Sequence, residues 1–122
     1  MRIDRIAIPL LWLLLAGCRE TPRIAAMITG GDWDRGSSSI SRYGCGSCHT
    51  IPGIAGAHGL VGPPLTGFGN RVYIAGMLQN QPANLVRWVQ DPRSVNEKTV
   101  MPQLGVTPQD AIDIAAYLYS LK

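Results

Sequence analysis

The densest chemistry in the chain lies in five consecutive residues, Cys45-Gly46-Ser47-Cys48-His49. On a helical turn two cysteines three apart face the same side, and a histidine four after the first shares that side. Such thiols can add to the two vinyl groups of one porphyrin while the imidazole binds its iron, and Cys-x-x-Cys-His is the attachment signature of c-type haem. Gly46 and Ser47 are small and leave the macrocycle room to approach. A redox dithiol would be expected beside a βαβ pattern, and no segment alternates with period two over a strand's length. A zinc site could draw on Cys45, Cys48, His49 and His58. Adjacent Cys48 and His49 make awkward tetrahedral ligands, however, and structural zinc spacings differ. Haem attachment is the reading the spacing favours, and His58, within Gly56-Ala57-His58-Gly59, reads as a loop residue.

His49 offers one axial ligand, so the other must come from elsewhere. Of four methionines, Met1 would leave with the N-terminal segment and Met27 falls in a stretch without clear period, which leaves Met77 and Met101. Met101 stands in Thr99-Val100-Met101-Pro102-Gln103-Leu104-Gly105, an extended loop from which a thioether can reach inward. A buried methionine is as readily core filler as ligand.

These residues need elements to hold them. Ser37 to Cys48 reads as a helix with Ile40 and Tyr43 on one side, and Ile51 to Gly76 as Gly/Pro-rich loop. Asn80-Gln81-Pro82 marks a helix start; Leu85, Trp88 and Val89 form its stripe, and Pro92 stops it. Thr107-Pro108-Gln109-Asp110 is a capping-box variant opening a last helix, with Ile114, Tyr117, Leu118 and Leu121 on one side. The expected class is all-α with much irregular structure.

With 122 residues and a mass of 13.2 kDa, one small domain is all the chain can hold. Charged residues at 16% and apolar residues at 46% argue against disorder. One Phe, three Trp and four Tyr leave little bulk for a core, so something besides side chains is expected to fill the middle. The net charge of +3 is scattered without a basic run, which speaks against a nucleic-acid partner. Three cysteines, an odd number, exclude a fully paired disulfide framework within the chain.

The odd cysteine has a reading of its own. After a short, net-positive opening, Ile6 to Cys18 carries no charge. A membrane span needs ~20 apolar residues, so this run has the proportions of a secretory signal instead. Leu15-Ala16-Gly17-Cys18 resembles the lipobox of bacterial lipoproteins, in which the Cys thiol takes a diacylglycerol and the chain is cut before it. The expectation is a signal peptide over 1–17, a lipid-anchored tether over 18–35 lifting the domain off the bilayer, and the domain itself over 36–122. An ordinary signal cut near Gly17 is the alternative. The product would be exported and lipid-anchored to a bacterial membrane, facing the periplasm or extracytoplasmic space.

From about Gly36 to Lys122 the chain resembles a class I cytochrome c. It is particularly similar to the cytochrome domains fused to subunit II of some haem–copper oxidases. The pieces that carry the resemblance are Tyr43-Gly44-Cys45-Gly46-Ser47-Cys48-His49, Gly62-Pro63-Pro64-Leu65, Asn84-Leu85-Val86-Arg87-Trp88, Val100-Met101-Pro102 and Ala116-Tyr117-Leu118. It implies short helices and loops wrapped around one covalent haem c, with Met101 as the distal ligand. It also implies that the Pro63 carbonyl accepts a hydrogen bond from the free ring nitrogen of His49. Arg71 would lie near the haem propionates, Trp88 beside the haem near the Met ligand, and Tyr117 where the last helix crosses the first. Two departures stand out: Ile40 sits where relatives often carry an aromatic, and Gly67-Phe68-Gly69-Asn70-Arg71 holds one extra residue.

The function so implied is that of a one-electron carrier rather than an enzyme, free or as a subunit of an oxidoreductase complex, with no small-molecule substrate. Its redox partners would be a terminal oxidase, a quinol-oxidising complex or a periplasmic dehydrogenase. The alternative is a haem-based ligand sensor or weak peroxidase with an open distal site.

Overall fold

The computed structural model describes residues 20–122. Four α-helices, α1 (Glu20–Thr29), α2 (Trp33–Arg42), α3 (Pro82–Gln90) and α4 (Pro108–Tyr119), carry the fold. Single 3-10 turns stand at Cys45–Ser47, Phe68–Asn70 and Pro92–Ser94. The only strands among the described residues are two residues long: Tyr73 opposes Gln79 and Ile74 opposes Leu78 in a small antiparallel hairpin. The class is all-α, as the residue patterns predict.

Helix ends follow local chemistry. The Asp32 carboxylate accepts from the Arg35 N–H at the start of α2, and the Thr107 hydroxyl accepts from the Asp110 N–H at the start of α4. Proline occupies the first turn of α3 and of α4, where no helical N–H is lost. Helix α3 ends at Gln90, two residues before Pro92.

Two expectations are corrected. The helix predicted over Ser37 to Cys48 instead runs Trp33–Arg42 and stops, because Gly44 adopts a left-handed conformation (φ 71°) that breaks the helical path before Cys45. The predicted tether is structured: Glu20–Thr29 is helical and packs on α4, with Ala25 only 2% exposed. Residues 31–35 are held just as closely. The Asp32 N–H donates to Asp113 Oδ1 at 2.8 Å, and the Trp33 indole N–H donates to the Ser120 hydroxyl at 2.9 Å. The large apolar residues of this ten-residue helix, Ile24, Met27 and Ile28, face outward and its packed side is built on the small Ala25. The apolar pattern therefore does not announce a helix docked on a core, which is why the sequence reads as linker. Residues 1–17 and Cys18 lie outside the described residues.

The core forms where α2 crosses α4. A Cβ on Gly36 would sit 2.1 Å from the Asp113 carbonyl oxygen and 3.1 Å from Tyr117 Cβ, so only glycine lets the two backbones meet. Trp33 leans on Tyr117 with ring centroids 5.0 Å apart. Tyr117 does mark the crossing, but its partners are Gly36 and Trp33. Beside it, Asp113 is 1% exposed and takes hydrogen bonds from Arg35 Nε (2.8 Å), the Asp32 N–H and Gln109. Burial opposes its charge, but these donors outweigh it and hold the carboxyl below the usual carboxylate range.

Candidate haem-binding site

The motif is built on a tight turn. The N–H groups of Cys48 and His49 both donate to the Cys45 carbonyl, at 3.2 and 3.0 Å, which draws the three chemistry-bearing residues together. The loop that follows is sewn to this turn: Gly59 N–H donates to Gly46 O and Gly62 N–H to Cys48 O. A Cβ on Gly46 would stand 2.7 Å from Ala57, so its smallness serves this loop contact. Gly46 is absent from the walls of the cavity below, whereas Ser47 is part of them. The reading that Gly46 clears a path for the macrocycle is therefore corrected.

Cys45, Cys48 and His49 open onto a cavity of about 710 Å³, large enough for a sizeable cofactor. Three helices supply its apolar walls through Ile40 of α2, Leu85 and Trp88 of α3, and Ile114 and Leu118 of α4. The loop between α3 and α4 adds Met101, flanked by Val100 and Pro102. Met77 is 55% exposed and stands apart from these walls. His58 is exposed and paired only through its backbone with Thr50. Among the described residues, no three His, Cys, Asp or Glu gather into a metal cluster.

His49 is oriented by its neighbours. Its Nδ1 lies 2.7 Å from the Pro63 carbonyl oxygen. A carbonyl only accepts, so Nδ1 carries the proton and Nε2 keeps its lone pair as a donor to metal. Gly62 packs flat against the ring: a Cβ there would come within 2.4 Å of His49 Cε1. Nothing in residue type alone marks Gly62 for this role, although a glycine ahead of two prolines is a place to look for close backbone approach.

The Arg71 guanidinium donates to the Pro64 and Thr66 carbonyls and lies 5.5 Å from the Phe68 ring centroid, with the residue on the cavity wall. That puts a positive group where a carboxylate could use it. No disulfide joins Cys45 to Cys48. Burial pushes the Cys45 thiol up from its ordinary value, with the neighbouring Cys48 adding to the shift. Two cysteines, an imidazole held through Nδ1 and a thioether around one apolar cavity fit a covalent haem c.

Comparison with known proteins gives the family. The cytochrome c family profile matches residues 34–122. The chain is 37% identical over 90 residues to cytochrome c oxidase subunit 2 of Alkalihalophilus pseudofirmus, covering 73% of this chain and 25% of that protein. It is 34% identical over 88 residues to cytochrome c oxidase subunit 2 of Bacillus sp. (strain PS3), covering 69% and 25%. The chain thus spans about a quarter of the length of the curated relatives it matches. No solved structure gives a significant match. The chain belongs to the cytochrome c family. Its class is that of haem-based electron-transfer proteins, with haem c bound covalently.

Proposed function

We propose that this chain is a one-electron carrier whose single haem c is joined through Cys45 and Cys48 and ligated by His49 and Met101. The observation that carries the reading is the convergence of those four side chains on one apolar cavity. Haem c, when bound, supplies the one-electron Fe(II)/Fe(III) couple. The chain's own part is positional. Pro63 holds His49 through Nδ1, the loop around Met101 presents the thioether, and Ile40, Leu85, Trp88, Ile114 and Leu118 keep water from the cavity floor. A thioether ligand in an apolar pocket favours the reduced state relative to a second nitrogen. Arg71 serves the propionates, and Trp88 lines the haem face.

The partner class follows from the relatives' names, which are those of cytochrome c oxidase subunits. A terminal oxidase is accordingly the acceptor we favour, with the chain as its subunit or as a free carrier. Cys18 would bear the lipid anchor on the extracytoplasmic side. Metabolic labelling with a radioactive fatty acid tests that part: a Cys18→Ala protein that keeps the label refutes it.

The ligand set is tested on the oxidised protein. A far-red sulfur-to-iron charge-transfer band is expected, lost in Met101→Ala, which then takes up carbon monoxide when reduced. A wild-type protein without the band that binds carbon monoxide freely would instead establish the open-site alternative, a sensor or weak peroxidase. Haem staining after denaturing electrophoresis checks the thioether links, since only covalently held haem survives the gel.

A further inference from the structure

Helix α1 presents an unusual outer face. Its packed side, centred on Ala25, is covered by α4, yet its exposed side carries Ile24, Met27 and Ile28 at 54%, 83% and 51% exposure. Spaced i, i+3 and i+4, the three form one continuous apolar stripe, beside which only Glu20 and Arg23 are charged and exposed. A solvated helix face of this size is normally polar, and a contiguous apolar one marks a binding surface. The neighbouring sequence names the occupant. The uncharged run Ile6 to Cys18 ends two residues before α1 begins, so whatever part of it meets the membrane delivers α1 directly to the bilayer surface. From Glu20 onward the segment expected to act as a tether is itself folded onto the domain and adds no slack.

We propose that the Ile24–Met27–Ile28 stripe rests in the lipid headgroup–acyl boundary and fixes the domain's orientation on the membrane. The inference deepens the anchored-carrier reading and rests on an N-terminal membrane anchor. A ten-residue helix is about 15 Å long, too short to hold a domain by itself, but an anchor beside it raises the local lipid concentration enough for three side chains to suffice. Helix α4 separates this face from the haem cavity. Its Ile114 and Leu118 line the cavity, while the Ile112 carbonyl lies against Gly31 just beyond α1. The cavity walls include Val61, Val100 and Leu104, all exposed, and none comes from α1, so this orientation leaves that mouth free for a protein partner.

The test is photolabelling of the full-length holoprotein in phosphatidylcholine–phosphatidylglycerol vesicles with a lipid bearing a diazirine in its acyl chain, mapped by mass spectrometry. Label on Ile24, Met27 and Ile28, with Met77 unlabelled, is the expected result. The Ile24→Ser/Met27→Ser/Ile28→Ser protein should lose roughly tenfold of the label in 20–29 with its haem spectrum unchanged. Label confined to the anchor residue, or spread evenly over Met27 and Met77, overturns the proposal. So does a cross-linked dimer joined through α1 without lipid, which would make a second copy the occupant. Fatty-acid labelling of Cys18 in the same preparation separates the two readings. Lipid on Cys18 with α1 unlabelled sinks only the orientation, and α1 labelled without lipid on Cys18 sinks only the acyl anchor.

Discussion

At the scale of single residues, His49 and its neighbours show how much of an imidazole's behaviour is set at the ring nitrogen that faces the protein. The imidazole is steered by a carbonyl at 2.7 Å and by the bare face of Gly62. Replacing Gly62 with alanine is expected to push the ring and weaken its bond to Pro63. The imidazole then becomes a poorer donor, which disfavours the oxidised state. The reduction potential should therefore rise by some tens of millivolts, a small part of the ~0.8 V that axial ligation commands. Redox titration alongside electron paramagnetic resonance reads it; an unchanged potential and unchanged g-values would show that the ring has room to spare. Tyr117 provides a second case. Its hydroxyl donates to the Pro52 carbonyl at 2.6 Å, tying α4 to the loop beyond the motif, and burial raises its pKa. Tyr117→Phe should cost about 1 kcal/mol in chemical denaturation while leaving the haem spectrum in place.

Elements are joined here by a few close approaches rather than by bulk. The crossing of α2 and α4 depends on Gly36, and Gly36→Ala forces apart backbones that a Cβ would bring to 2.1 Å. A loss of about 1–3 kcal/mol is expected, read as a lowered Tm of the holoprotein. The same crossing is pinned by Asp113, whose carboxyl ionises more readily in the fold than in the unfolded chain. Its stabilisation is therefore complete above the unfolded value near ~4 and is lost as the pH falls through the lower folded value. Asp110 adds to this in the same direction, held low first by the Tyr43 hydroxyl at 2.6 Å and then by Thr107 and Arg42. Unfolding followed below about pH 4 should steepen for the wild type and flatten for Asp113→Asn.

For the whole molecule, the sparse charge matters more than any one pair. A net charge of +3 over scattered Lys and Arg cannot build the dense single-sign ring that steers partners through solution. Electron transfer to the oxidase acceptor proposed above is expected to change less than about threefold between low and physiological salt, since screening has little to remove. Stopped-flow rates across a salt series decide it, and a collapse at moderate salt would show that steering governs encounter after all. A membrane-fixed orientation is the arrangement that would replace steering, because it restricts the search to two dimensions and to one presented face.

Much of the chemistry was legible in the chain. Cys45, Cys48 and His49 are adjacent, so their geometry follows from one turn and needs no knowledge of the rest. The starts of α3 and α4 were equally visible, because Pro82, Thr107 and Pro108 act on backbone groups within a few residues. The placement of Met101 on the cavity wall and of Met77 away from it was open to residue type alone and followed only from the resemblance. Hidden altogether were the fit of Gly36 against Asp113, the contact of Gly62 with His49 and the docking of α1 on α4. The first and last of these join segments far apart in the chain, and the glycines declare themselves only through the Cβ they lack. What the amino-acid order determined by itself was local: a reactive motif, caps and an uncharged N-terminal run. What the tertiary structure decided was which distant backbones approach closely enough to forbid a side chain, since that distance is a property of packing and leaves no periodic mark on the residues that obey it.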